Sequence, residues 1–247
     1  MIKPYYEEPN ITIYCGDCLE VIKEMPNESV SLVVTSPPYN KHSAKRKCGK
    51  TDSWQKANIS YGDFNDDLPE SKYQEQQKEV IRELIRIIKP TGSIFYNHKY
   101  RIVNHRIISP EEWLSEFIVR QVIIWDRTNS PILEPIRFMP KTEQIYWITK
   151  ERKTPYFTKE GFQFQDIWRI PPDSGNEHPA PFPLSIPERC IISACPKNGI
   201  VLDPYCGSGT TLVACKELNR KGIGIEINKE YCNMAVQRLK NTTPNLL

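Results

Sequence analysis

Gly199-Ile200-Val201-Leu202-Asp203-Pro204-Tyr205-Cys206-Gly207-Ser208-Gly209-Thr210-Thr211, read together with Lys221-Gly222-Ile223-Gly224-Ile225-Glu226, decides the fold. Gly199 to Asp203 is a short apolar run bounded by a turn, the pattern of a strand buried on both faces. Small residues follow and open a helix that runs through Leu218. Lys221 to Glu226 is a second strand, ending in an acid about twenty residues after the glycines. Strand, glycine turn, helix and acid-terminated strand make a nucleotide-binding βαβ unit. In such a unit the glycines let the backbone approach a ligand, and Glu226 can accept both ribose hydroxyls. A P-loop is excluded, because Gly207 to Thr211 lacks the Gly-Lys-Ser/Thr ending. A dinucleotide site is disfavoured by Leu212, which stands where a third glycine or alanine belongs. Asp203, directly before the turn, points to a cationic group on the ligand, such as the ammonium of an amino acid.

A second strand-to-turn transition lies far upstream. Val30 to Val34 is another buried run, followed by Thr35-Ser36-Pro37-Pro38-Tyr39-Asn40. Two prolines cannot extend a strand, since they donate no N–H and fix φ. The chain therefore leaves the sheet at Ser36, at a carboxyl strand end, where open α/β sheets bind ligands. Ser36 offers an oxygen acceptor, Pro37 a carbonyl and Tyr39 a flat face. Two acceptors beside a ring suit a planar exocyclic amine: holding both hydrogens localises the nitrogen lone pair and makes it a nucleophile.

The remaining elements follow from periodicity. Ile11 to Tyr14 alternates as a strand, and Cys18 to Met25 reads as a helix. Ser71 to Lys89 is the clearest helix, with Val80, Ile81, Leu84, Ile85 and Ile88 on one face and Pro90-Thr91-Gly92 as its stop. Strands are expected at Ser93 to Asn97, Val119 to Trp125 and Gln144 to Thr149, with a short helix at Glu111 to Phe117. Ser185 is expected to cap a helix that has Pro187 in its first turn. Tyr231 to Lys240 closes the chain as an amphipathic helix. Glu151 to Glu177 carries no usable period.

Composition sets outer bounds. The chain has 247 residues, enough for one α/β domain, and a net charge of +3 that identifies no partner by itself. Charge is local instead: Lys41, Lys45, Arg46, Lys47, Lys50 and Lys56 share one loop-like stretch, interleaved with Trp54, Tyr61 and Phe64. No apolar run is long enough to span a membrane and the start shows no signal-peptide core, so a cytoplasmic, nucleoid-associated protein is expected. The eight cysteines sit mainly in apolar patterns and are expected to be reduced. Cys15-Gly16-Asp17-Cys18 has no partner pair at zinc-site spacing, and no metal is expected.

Ser36-Pro37-Pro38-Tyr39 resembles the catalytic motif of the DNA amino-methyltransferases, which methylate cytosine N4 or adenine N6, and Asp203 to Thr211 resembles their cofactor motif. With the catalytic motif first and the cofactor motif near the C-terminus, the order is the circularly permuted one of the β class. The resemblance implies a single methyltransferase domain over 1–247, with DNA-recognition insertions at about 41–64 and 151–177. It implies a Rossmann-like α/β fold whose seven-stranded mixed sheet is ordered 3-2-1-4-5-7-6, the seventh strand antiparallel. The implied cofactor is S-adenosyl-L-methionine, leaving as S-adenosyl-L-homocysteine. Its contacts would come from Asp17, Cys18, Phe182, Pro183, Asp203, Tyr205, Cys206, Gly207, Ser208, Gly209, Thr210, Thr211, Glu226 and Ile227. Ser36, Pro37, Pro38 and Tyr39 would be catalytic. Lys41, Lys45, Arg46, Lys47 and Lys50, with Arg127 and Asn129 of a pocket-wall loop, would meet duplex DNA. Family logic allows a cognate restriction endonuclease and a homodimer. Ser at position 36 favours cytosine N4, with adenine N6 as the alternative. An RNA or protein amide methyltransferase, or a silent nucleic-acid-binding domain, is more distant; the latter would lose the acceptors that Ser36, Asp203 and Glu226 retain.

Overall fold

The computed structural model describes residues 2–40, 68–103, 105–128, 138–173 and 183–244. Its centre is β3 (Val30–Thr35), mainly apolar and buried at every position, the polar Ser31 and Thr35 included. Parallel neighbours flank it: β10 (Ile200–Asp203), with Val201 opposite Leu32, and β4 (Ile88–His98), with Val34 opposite Phe95. Beyond β10 lie β11 (Lys221–Glu226) and β2 (Ile11–Cys15), also parallel. Beyond β4 lie β8 (Thr142–Thr149) and β7 (Ile118–Asp126), with β8 antiparallel to both its neighbours. Counted from the strand before the glycine turn, this is the expected 3-2-1-4-5-7-6 sheet.

Two three-residue strands extend it to nine: β1 (Tyr6–Glu8), antiparallel on β2, and β9 (Ile167–Arg169), parallel on β7. A further hairpin, β5 (Arg101–Val103) with β6 (Arg106–Ile108), stands apart from the sheet. Three residues are too few to show a period, which is why none of these four was expected.

Helices cover both faces. On one side, α1 (Cys18–Glu24), α2 (Glu70–Ile87) and α3 (Glu111–Leu114) bury Ile22, Val80, Ile81, Leu84 and Trp113 against Val33, Ile94 and Tyr96. On the other, α4 (Ser185–Ala194), α5 (Thr210–Glu217) and α6 (Lys229–Lys240) bury Ile186, Ile191, Leu212 and Ala235 against Leu32, Val34 and Val201. Each large aliphatic side chain so buried contributes roughly 1.5–3 kcal/mol. Among the described residues no helix is long and apolar enough to cross a membrane.

Local boundaries differ from the sequence reading. Helix α2 stops at Ile87, not Lys89, because Ile88 already pairs with Val30. Pro90-Thr91-Gly92 falls at an irregularity of β4, where a Cβ on Gly92 would lie 3.1 Å from the Ser31 carbonyl oxygen. Ser185 does not cap α4: it is the first helical residue, and Leu184 holds the cap position without a side-chain bond. The stretch after Glu151 is partly ordered by the core, with a 3-10 turn at Glu160–Gln163, β9, and Phe157 stacked 5.3 Å from Trp147.

Candidate active site

Because β3 and β10 are parallel neighbours, the turns that leave them emerge side by side. Side chains tie the two ends together. Thr35 Oγ1, the last residue of β3, donates to Asp203 Oδ1 at 2.9 Å, while Thr211 Oγ1 donates to Asp203 Oδ2 at 2.6 Å and the Tyr205 amide to Oδ1 at 3.2 Å. Burial nevertheless pushes the Asp203 carboxyl up to about 6, against the pull of those donors. A carboxylate so enclosed is a place where a bound cation would be favoured.

The turn itself depends on two left-handed glycines, Gly207 at φ +51° and Gly209 at φ +79°. Gly209 is doubly required, since an added Cβ would sit 2.7 Å from the Ala235 Cβ of α6. Glu226 at the end of β11 accepts from the Gly207 amide at 2.9 Å and the Asn228 amide at 2.8 Å. Its pKa is raised by burial. Its backbone carbonyl accepts from Gly16 at 3.0 Å, which brings the end of β2 to the same edge. There Asp17 caps α1, accepting from Leu19 at 2.8 Å and Glu20 at 3.2 Å. Cys18 is buried, and desolvation pushes its thiol up to about 12. Cys206 is buried too, its amide bonded to the Ile225 carbonyl at 2.9 Å. Half-buried Ile227 directly follows Glu226, and Pro183 is buried just ahead of α4. Phe182 lies outside the described residues.

Sequence reading missed the brace of this turn. Arg238 of α6 reaches across to donate to Ser208 O at 2.8 Å, Ser208 Oγ at 3.0 Å and Thr210 Oγ1 at 2.9 Å. Ser208 and Thr210, expected at the cofactor, are thus engaged by α6, and Thr211 is engaged by Asp203. One Arg on an amphipathic helix carries no sequence signal of such a role.

At the other turn, Ser36 Oγ lies 2.8 Å from the Tyr39 hydroxyl, which donates to Glu143 Oε2 at 3.0 Å. Asn97 at the end of β4 donates through Nδ2 to Glu143 Oε2 at 2.9 Å and to the Tyr39 hydroxyl, with Ser36 Oγ at 3.3 Å. Its Oδ1 is buried without a hydrogen-bond partner among the described residues. Glu143 arrives here because β8 runs antiparallel, so its first residues meet the edge where β3 and β4 end. An acid just ahead of the apolar run Ile145 to Ile148 was the available hint.

Pro38 is held as well. Its carbonyl accepts from Tyr73 at 2.8 Å, and Tyr73 in turn lies 2.8 Å from His98 Nε2. Burial drives the His98 pKa down to about 3, so the ring is neutral. Both the amide nitrogen and the carbonyl oxygen of Lys99 lie 2.9 Å from His98 Nδ1. Asn40 bonds both the amide and the carbonyl of Leu68, at 2.7 and 2.9 Å, joining the two ends of segment 41–67. Tyr39 is 8 % exposed, its ring 4.7 Å from His98 and under the Lys99 ammonium at 5.4 Å.

Of the expected DNA contacts, Lys41, Lys45, Arg46, Lys47, Lys50 and Asn129 lie outside the described residues. Arg127 is turned inward: it pairs with Glu143 Oε1 at 2.9 Å and lies over the Trp125 ring at 5.4 Å. A phosphate would have to compete with that pair.

Two acceptor-bearing turns thus leave one edge of a doubly covered sheet side by side. The DNA methylase family model matches residues 30–237, and the chain belongs to that family. It is 29 % identical to the Type II methyltransferase M2.MboI of Moraxella bovis, over 99 % of this chain and 94 % of that one. To the Type II methyltransferase M2.LlaDCHI of Lactococcus lactis subsp. cremoris it is 31 % identical, over 97 % and 93 %. Among solved structures, PvuII DNA methyltransferase (cytosine-N4-specific) superposes with a TM-score of 0.75 at 21 % identity, covering 96 % of this chain and 88 % of that one. A DNA modification methylase of Thermus thermophilus, complexed with S-adenosyl-L-methionine, gives 0.67 at 25 %, covering 95 % of each chain.

Proposed function

We propose that the protein transfers a methyl group from S-adenosyl-L-methionine to the exocyclic amine of a flipped base in duplex DNA, cytosine N4 in preference to adenine N6 as the reading of that base, in a restriction-modification setting. The observation that carries this reading is the Thr35 to Asp203 hydrogen bond, because it sets the Ser36 turn beside the glycine turn. The Type II methyltransferase names of the relatives support DNA as the substrate and the setting. The solved complex with S-adenosyl-L-methionine supports the donor. The residues present fit that donor: Asp203 is a buried carboxylate suited to a cationic group, and Glu226 keeps lone pairs for ribose hydroxyls. When bound, the sulfonium supplies an electrophilic methyl.

The chain's own part is positioning. Ser36 and the Pro37 carbonyl accept the two hydrogens of the amine, which frees its lone pair for the methyl carbon; the carbon–sulfur bond would break with its electron pair on sulfur, and the surplus amine proton would pass to solvent water. Holding nitrogen and carbon in line can supply roughly 7–11 kcal/mol of the barrier. Flipping costs a few kcal/mol, offset in part by stacking on Tyr39, worth about 1–3 kcal/mol. Since Tyr39 is only 8 % exposed, base entry has to displace part of its cover. Lys41, Lys45, Arg46, Lys47 and Lys50 would neutralise phosphates and make binding salt-dependent.

Ser at position 36 is the basis for preferring cytosine. The test is tritium transfer from labelled cofactor to duplex DNA, followed by nucleoside analysis. Label in N4-methylcytosine is the expected result; label only in N6-methyladenine would replace the base, and label on RNA or protein alone would overturn the substrate.

A further inference from the structure

We propose that Glu143 is a positioning residue that fixes the direction of the Ser36 hydroxyl, so that Ser36 meets the target amine as an acceptor. The inference rests on the reading of Ser36 given above. A serine hydroxyl can turn its proton toward or away from a ligand, and an amine held through its own hydrogens needs it turned away. Ser36 alone does not decide this. Its neighbour at 2.8 Å, the Tyr39 hydroxyl, has one proton and could donate to Ser36 equally well.

Glu143 removes the ambiguity. As the partner of the Arg127 guanidinium at 2.9 Å it can only accept. It therefore takes the Tyr39 proton at 3.0 Å, which leaves the Tyr39 oxygen as an acceptor. Asn97 Nδ2 donates to the same two oxygens and lies 3.3 Å from Ser36 Oγ, where it too can only donate, reinforcing that direction. With the Tyr39 proton on Glu143, the proton in the 2.8 Å contact between the two hydroxyls is that of Ser36, drawn inward while a lone pair faces outward. Glu143 is 6 % exposed and touches no substrate in this arrangement; it acts through Tyr39. Tyr39 and Ser36 keep their own protons, Glu143 gains none, and the one the amine loses passes to solvent water.

In Glu143→Gln the amide can donate to the Tyr39 oxygen, Tyr39 can then donate to Ser36, and the Ser36 proton swings toward the amine. Steady-state assays on duplex DNA should show kcat lowered roughly 10- to 100-fold, the scale of one misdirected hydrogen bond. KM for cofactor and for DNA should stay within about twofold of wild type. Tyr39→Phe keeps the ring and breaks the same link, so the double variant should be no worse than about threefold below the slower single variant. Thermal melts of the cofactor-free proteins give a second readout, in which the double variant loses less than the sum of the two singles. Wild-type kcat in Glu143→Gln, losses that multiply in the double variant, or additive melts would each overturn the role of Glu143. A wild-type chain that labels no DNA would instead remove the reading of the site, and the melts would still report on the link.

Discussion

Asp203 titrates at about 6, against 3.8 for an unperturbed group, because burial outweighs its three donors. The folded chain therefore holds this proton to higher pH than the unfolded chain does. The associated stability is complete below the unfolded pKa and is lost as pH rises through about 6, to the extent of about 3 kcal/mol. Glu226, raised by the same cause, adds to that slope. Urea melts across this range should show wild type weakening as pH rises and Asp203→Asn with a flatter profile. A cation in the turn reverses the sign, because it favours the ionised form. Calorimetric titration with S-adenosylmethionine should show affinity rising up to about tenfold per pH unit below about pH 6 and levelling above it. A profile flat through that window would mean that the carboxyl faces no cation. Ser36→Ala should lower the single-turnover rate at least about tenfold with cofactor affinity unchanged; a rate near wild type would reassign the acceptor.

Helix α6 is what makes the glycine turn rigid, through the Arg238 bonds and the close approach of Ala235 to Gly209. Gly209→Ala should cost about 1–3 kcal/mol of unfolding free energy, from the positive φ and the 2.7 Å overlap together. Arg238→Met keeps much of the stem but removes three hydrogen bonds, and should weaken cofactor binding more than it weakens the fold. Calorimetry beside denaturant melts separates the two effects. The strands of this turn were legible because burial on both faces writes a continuous apolar run, and Gly207 and Gly209 announce the turn. Arg238 and Asn97 were not legible, and Glu143 showed only as an acid ahead of an apolar run. Each is a single polar residue whose partner lies far along the chain, and only the antiparallel course of β8 brings Glu143 to Tyr39. The caps divide in the same way: Asn228 takes the amides of Glu230 and Tyr231, whereas Ser185 has a serine's propensity without the geometry.

The sheet grades in stability from centre to edge, and the site sits at the strong end. β3, β10 and β4 are hydrogen-bonded on both sides and covered by helices on both faces, while β1 and β9 are three-residue edges and β5 and β6 pair only with each other. Hydrogen exchange should follow that gradient, slowest in β3, β10 and β4 and faster in β1, β9 and the hairpin. The contrast matters because the glycine turn is tied to this centre by side chains: Gly207 to Glu226 of β11, and Asp203 of β10 to Thr35 and Thr211. Adding S-adenosylmethionine should slow exchange at Gly207 to Thr211 and at Asp17 to Leu19, leaving β9 unchanged, since β9 lies at the far edge of the sheet from β2 and β11. Protection that appeared first in β9 would place the ligand at the opposite end of the molecule and separate it from Ser36 altogether.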